Sequence, residues 1–433
     1  MTIQNVAGDA ESESSEISKA TRVWAKIGLL SFGGPAAQIA LMHDLIVERY
    51  KWVSEKQYLN ALSFCMLLPG PEAMQLATYV GWRLHGILGG LIAGLLFVLP
   101  GELVILAMAI TYVTYGEQPL IQALFLGIKA SVLIIVIQSL IRVASRAIKT
   151  LRLRVLALLS FIAIFFFSIP FPFIILLAAI FGYLSIDADQ NTFVPPQKAE
   201  IKFASLCKTI LLVMVIWWAP LLALDYFLSI PVLTDIGQFF SKLAVVTFGG
   251  AYAVLAYMAQ AVVTDWQWLS AGEMMDGLGL AETTPGPLIL VTEFVGFLAA
   301  YREGGLALGV TGALVTLWVT FVPCFLWIFA GAPYVDWITA QPKLKGALDA
   351  ISAAVVGVIL NLSVWFALHV IFDSVQRTTF GVLDLWYPLL SSVNWLVTGL
   401  VLVSALLMLK LKWGIIRSMI CCALLAGAYY VWL

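Results

Sequence analysis

Two interruptions constrain this chain most, because each occurs twice at the same spacing. Ser31-Phe32-Gly33-Gly34-Pro35 breaks an apolar run that includes Ile27, Leu29 and Leu30, and Pro69-Gly70-Pro71 breaks the next one after Met66, Leu67 and Leu68. Thr247-Phe248-Gly249-Gly250-Ala251 and Thr284-Pro285-Gly286-Pro287 repeat them 216 residues later, and Trp268 follows Trp52 at the same distance. Three landmarks matching without a gap indicate two homologous halves, each with a pair of broken helices. Backbone freed from helical bonding is tolerated at membrane depth only where protein or a water-filled cavity satisfies it, so the breaks are expected to face a central site.

The breaks lie at membrane depth because the whole chain is built for lipid. Of 433 residues, 62% are hydrophobic and 11% charged, and the mean hydropathy is +0.98; a soluble domain carries about 25% charged residues. The fold class is therefore all-α and polytopic. Apolar segments fall at roughly 23-47, 57-84, 87-113, 118-143, 153-168, 170-186, 206-228, 238-263, 273-300, 305-332, 345-372, 386-409 and 413-432, about 13 spans at about 20 residues each. The domain reading is a disordered, acidic cytosolic tail over 1-20, a first repeat over 21-186, a linker with an extra span over 187-237, and a second repeat over 238-433.

Orientation follows from lysine and arginine. The loop with Arg142, Arg146, Lys149, Arg152 and Arg154 is the most basic, and basic loops stay cytoplasmic. Counting back puts the amino terminus inside. The loop with Arg49, Lys51 and Lys56 is the exception, since the count places it outside. Seven crossings separate the two copies of the first break, so the repeats are expected to be inverted.

At the breaks, Pro71 and Pro287 suit helix starts. The unpaired amides of Glu72, Ala73 and Met74, and of Leu288, Ile289 and Leu290, with the positive helix-dipole end, form an anion site without a basic side chain. Gly33-Gly34 and Gly249-Gly250 permit close backbone approach, with Ser31 and Thr247 as hydroxyl donors or caps. A single Gly/Pro kink more often only shapes packing; four kinks in matched pairs favour a binding role. Glu72 shares a helix face with Gln75 and Tyr79, and a carboxylate there repels an anion unless protonated, which suggests proton coupling. Glu282 and Glu293 flank the second break as further candidates. Lys129, far from a span end, either snorkels, pairs with Glu102 or neutralises the substrate; Gln38 joins it as a supporting residue. Arg83 and Arg302 read as interfacial anchors.

Phe32-Gly33-Gly34-Pro35, Trp52-Val53, Pro69-Gly70-Pro71 and their second-half counterparts resemble the chromate ion transporter family in its long form with two homologous domains. Ala251 stands where Pro35 would repeat. The resemblance implies a bacterial inner-membrane protein that extrudes chromate using the membrane potential or a proton gradient. A passive anion channel, or a transporter of another oxyanion such as sulfate, fits the same breaks. No HExxH, GxSxG, P-loop or metal-ligating cluster appears, so neither an enzyme nor a bound cofactor is expected. A net charge of -1 gives no sign of a nucleic-acid partner. The expected partners are the oxyanion and the lipid bilayer, and a homodimer is compatible with the sequence.

Overall fold

The computed structural model describes residues 3–185, 203–248, 251–339, 341–381 and 383–432. Its elements run α1 (Ile3–Leu30), α2 (Gly34–Met42), α3 (Glu55–Cys65), α4 (Glu72–Tyr115), α5 (Pro119–Ala147), α6 (Leu151–Phe167), α7 (Phe171–Leu184), α8 (Phe203–Leu228), α9 (Pro231–Val246), α10 (Ala251–Gln260), α11 (Ala271–Thr283) and α12 (Val291–Gly331), then α13 (Val335–Thr339), α14 (Pro342–Ile371), α15 (Trp395–Ala405) and α16 (Ile415–Trp432). Among the described residues, one two-stranded antiparallel ribbon, β1 (Val375–Phe380) with β2 (Leu383–Pro388), departs from the all-α expectation. It takes up the start of the segment expected as a span at 386-409. Among the described residues, six helical stretches are long and apolar enough to cross a membrane, and exposed Leu158, Leu159, Phe173, Leu177, Leu211 and Leu212 give the surface its lipid-facing character. The chain is a polytopic membrane protein.

The breaks turn the chain back. Trp24 of α1 lies 5.9 Å from Trp52 and Lys19 lies 5.9 Å above the Tyr50 ring. A straight helix would hold Trp24 and Trp52 about 40 Å apart at 1.5 Å per residue. α1 and α2, with its π-helical extension His43–Arg49, are therefore the two arms of a hairpin whose tip is Ser31 to Gly33. α3 and the first arm of α4 form a second hairpin about Pro69-Gly70-Pro71, with Phe64 6.2 Å from Tyr79. The second half repeats both. Phe240 lies 6.4 Å from Trp268 across the third hairpin, and Phe294 fills the space beside Gly277 across the fourth. The segments expected as crossings at 23-47, 57-84, 238-263 and 273-300 are thus hairpins, which corrects the count of 13.

Local sequence explains these starts and stops. Ser54 and Gln57 close a capping box on α3, and Ser270 and Glu273 close its copy on α11, each satisfying two otherwise unpaired amides. α4 and α12 reverse again at His85-Gly86 and Gly304-Gly305, where the backbone leaves the helix. Small residues let the arms touch: a Cβ on Gly81 would strike Gly89 O, and one on Gly94 would strike Thr78 Oγ1. After each reversal the long arm continues as a full-length helix.

Those long arms run antiparallel. Gly90 and Gly94, at the start of the α4 arm, meet Phe329 and Phe325 near the end of α12. At the other end Tyr112 packs edge-on against Phe294, 5.3 Å away, and lines one cavity with Tyr301 and Arg302, just before the α12 reversal. α5, α6, α7 and α14 to α16 pack on one another, with α5 and α14 also touching α11 and α14 touching α10, and α8 lies on α12, where Trp318 Nε1 donates to Trp217 O. α1 reaches back to Ile3 through acidic residues expected to be disordered, as an extension of the helix anchored by buried Ala20, Val23, Trp24 and Ile27; extending an existing helix avoids the nucleation cost. Of the expected linker and extra span over 187-237, residues 187–202 lie outside the described residues.

Candidate substrate site at the meeting of four hairpin tips

The four tips meet in crossed pairs. Gly70 N donates to Thr247 O at 2.9 Å, and Gly286 N donates to Ser31 O at 2.8 Å. Each bond is the other's copy under the 216-residue offset. The long arms complete the pattern: Gly101 of α4 abuts Pro285 O, while Cys324 of α12 faces Gly70. Pro100-Gly101 and Pro323-Cys324 are therefore corresponding pairs.

Gln38 and Gln75 are both fully buried; Gln38 ties the first tip to the fourth, and Gln75 closes its own tip. Gln38 Nε2 donates to Gly286 O at 2.6 Å and to Ser31 O at 3.2 Å, and Gln75 Nε2 donates to Pro69 O at 2.7 Å. The amide oxygen of each is buried without a hydrogen-bond partner. A buried polar atom left unpaired costs about 1–3 kcal/mol, so both oxygens suit a proton-bearing group or water at the tips.

The two kinds of tip differ in openness. Phe32 and Gly33 are exposed, and Gly33 and Gly34 hold φ of 86° and 79° with open space beside Gly34; two successive left-handed residues are what only glycines supply cheaply. α2 starts here, with Gly33 at its N-cap and Pro35 in its first turn. Its N-terminus is accessible. Pro69, Gly70, Pro71, Thr284, Pro285, Gly286 and Pro287 are all buried.

Several expectations need correction. Pro71 is the N-cap of α4, ahead of the first helical position, and Pro287 leads into a 3-10 turn, Leu288–Leu290, before α12. Leu290 N is thereby used by Pro287 O. Ser31 and Thr247 cap nothing: their hydroxyls donate to Ile27 O at 2.6 Å and Leu243 O at 2.5 Å, four residues back in their own helices. Lys129 pairs with neither Glu102 nor the tips. Its Nζ lies 3.2 Å from Asp276 Oδ2, and Asp276 is eight residues, about 12 Å of helix, before Thr284. Phe248 is half-buried beside Thr247; Gly249 and Gly250 lie outside the described residues.

The three carboxylates expected near the breaks have different surroundings. Glu72 opens α4 and is half-buried. Glu282 accepts from Tyr252 OH at 2.7 Å. Glu293 is fully buried and neither oxygen has a hydrogen-bond partner, with the Glu102 carboxyl within electrostatic reach.

The break motifs did not point to a polar cavity of about 550 Å³ beside the α12 reversal, lined by Tyr112, Lys129, Glu273, Asp276 and Arg302 among others. Arg302, expected as an interfacial anchor, bonds Glu273 at 2.5 Å and the carbonyl of Trp268. The sequence signal for Asp276 is its position inside the apolar stretch 273-300.

The family model described as "Chromate transporter" matches residues 18–183 and 234–430. The chain is 30% identical to the chromate transport protein of Cupriavidus metallidurans over 80% of its length and 82% of that protein's. It is 31% identical to a probable chromate transport protein of Synechococcus elongatus, over 78% and 81% of the two chains, and 27% identical to a chromate transport protein of Pseudomonas aeruginosa, over 77% of each. No solved structure matches the chain.

Proposed function

Because the chain belongs to the chromate transporter family, we propose that it is a secondary active transporter of a tetrahedral oxyanion, chromate first, that binds where the four tips meet and moves by alternating access. The observation that carries this reading is the crossed pair of bonds, Gly70 N to Thr247 O and Gly286 N to Ser31 O. It gathers helix ends from both halves into one layer, where the α2 N-terminus, with its exposed Gly33, can receive an anion. Ser31, Gln38, the Pro69 to Glu72 segment, Gln75, Thr247 and the Thr284 to Pro287 segment would frame that anion.

The antiparallel long arms support inverted repeats, and the hairpins support the orientation better than a run of crossings does. Once the hairpins return to the side they left, Arg49, Lys51 and Lys56 join the same side as Arg83 and the basic loop at 142–154. A cytoplasmic amino terminus in a bacterial inner membrane then satisfies the positive-inside rule without the former exception. Five crossings (the long arm of α4, then α5 to α8) separate the repeats, and an odd number inverts them.

Coupling to protons fits the carboxylates. Glu293, whose oxygens are buried without a hydrogen-bond partner, is the foremost proton carrier, with Glu72 after the buried Pro69–Pro71 tip and Glu282, bonded to Tyr252, as further candidates; an unpaired charge buried in a membrane is costly, so such a carboxyl suits a group that gains and loses a proton in the cycle.

Radiolabelled chromate uptake into everted vesicles, with and without an imposed proton gradient and with excess sulfate, tests the proposal. Gradient-dependent accumulation is expected, and equilibration without accumulation would point to a channel. Absence of chromate flux would overturn chromate as substrate.

A further inference from the structure

The cavity beside the α12 reversal is outside the tips, yet it brings together two ion pairs, Lys129 with Asp276 and Arg302 with Glu273. Asp276 Oδ2 receives two donors, Lys129 Nζ at 3.2 Å and Tyr112 OH at 2.8 Å, while Oδ1 is buried without a hydrogen-bond partner. Asp276 is 3% exposed and lines the cavity. The two oxygens are thus unequal: one is fully used and the other is free to take a proton. Lys129 keeps a quarter of its side chain exposed toward the same space, which at about 550 Å³ is ample for a four-oxygen anion and several waters.

We propose that this cavity is a second anion site, in which a proton on Asp276 releases Lys129 to bind the oxyanion. It rests on the reading of the protein as an oxyanion transporter and adds to it a place where proton and anion bind together. With Asp276 ionised, Lys129 is neutralised and an incoming anion meets a carboxylate. With Oδ1 protonated, the carboxyl is neutral, Lys129 carries an uncompensated charge, and a tetrahedral oxyanion supplies it. Lys129 ammonium and Tyr112 OH then offer charge-assisted and neutral donors on one wall. The second cation, Arg302, stays with Glu273, its pairing fixed by the Ser270 cap and the Trp268 carbonyl. Charged or titratable groups around Asp276 in the cavity lining are Tyr112, Glu117, Lys129, Glu273, Tyr301 and Arg302. α14 and α16, which also pack on α11, contribute none to that lining. A structural staple between α5 and α11 would use the same ion pair but would not tie anion affinity to the charge of Asp276.

The test is chromate binding to the purified full-length protein in detergent, followed by calorimetry between pH 5 and 8, for wild type, Asp276→Asn and the Lys129→Met/Asp276→Asn double variant. Lys129→Met alone would strand a buried carboxylate, so the double variant replaces it. Wild type is expected to bind more tightly as pH falls. Asp276→Asn, which keeps Tyr112 as partner, is expected to bind tightly and to retain only the pH dependence that chromate's own protonation imposes. The double variant is expected to bind at least about tenfold more weakly, the loss of one charged hydrogen-bond partner, with the same residual pH dependence as Asp276→Asn. A wild-type pH profile retained in Asp276→Asn, or wild-type affinity in the double variant, overturns the inference alone. Wild type binding no chromate at any pH overturns it together with the transport reading.

Discussion

At the scale of single residues the tips are governed by space. Gly70 holds φ 118°, a backbone region that side chains rarely adopt, and a Cβ there would sit 2.8 Å from Cys324 Sγ and 2.9 Å from Gln75 Nε2. Gly70→Val therefore combines backbone strain of about 1–3 kcal/mol with displacement of Gln75 from Pro69 O. Gly286→Val meets the same backbone problem at φ 91°. Both variants are expected to insert at normal levels, because the long apolar helices are untouched, and to lose chromate transport; retained transport in either would separate the tips from the function. Gln38→Leu is expected to leave Gly286 O without a donor, while Ser31 O keeps Gly286 N, and to lower transport at least tenfold in the same vesicle assay, at about 1–3 kcal/mol for the unpaired carbonyl. The glycines and prolines of these tips were legible in the sequence because they break helices wherever they occur. Gln38 and Gln75 were legible only as polar residues near a break, since their bonding depends on which backbone carbonyls the other half brings to them. The partner of Lys129 was not legible at all: Asp276 lies 147 positions away, on a helix that only tertiary packing sets against α5.

At the scale of elements, periodicity and length identify a helix but not where it turns. The segment at 57-84 has the length of a crossing, and nothing local distinguishes a break in a continuing helix from the tip of a hairpin. The deciding contacts, Trp24 on Trp52 and Phe240 on Trp268, are aromatic pairs 28 residues apart. The β ribbon escaped notice because strands of six residues beside an apolar helix resemble its extension. That ribbon is pinned to the α6–α7 turn, where Asp384 Oδ2 accepts from Arg377 at 2.6 Å and from Ser168 at 2.5 Å. The Arg377 and Ser168 hydrogen bonds hold the Asp384 carboxyl below its ordinary value. Such a group contributes stability above the unfolded value, about 3.9, and loses it as pH falls through the lowered folded one. The ribbon is thus expected to stay closed at neutral pH and to become protease-sensitive below about pH 4, whereas Asp384→Asn should be sensitive already at pH 7. Equal cleavage of the two proteins at neutral pH would remove the pin from this role.

For the whole molecule, the repeat predicts more than the positions of its parts, because its symmetry fixes sides. The hairpins of the first half leave and return at the end of the α4 long arm marked by Arg83, and those of the second half at the opposite end, marked by Arg302. Single cysteines test this on a background in which the five native cysteines are replaced. Cysteines at Lys51 and at His85 should react with an impermeant maleimide only from the cytoplasmic face, and cysteines at Gln267 and at Glu303 only from the opposite face. A chain of 13 crossings would instead put Lys51 and His85 on different sides, because the segment at 57-84 would carry the chain across between them. Labelling of Lys51→Cys from outside would therefore restore the crossing count and leave the crossed bonds between Gly70 and Thr247, and between Gly286 and Ser31, without the opposed hairpins that make them meet. Labelling from inside makes the hairpins of the two halves face each other across the membrane. The tips then form a barrier reached from either side, which is the geometry that alternating access requires.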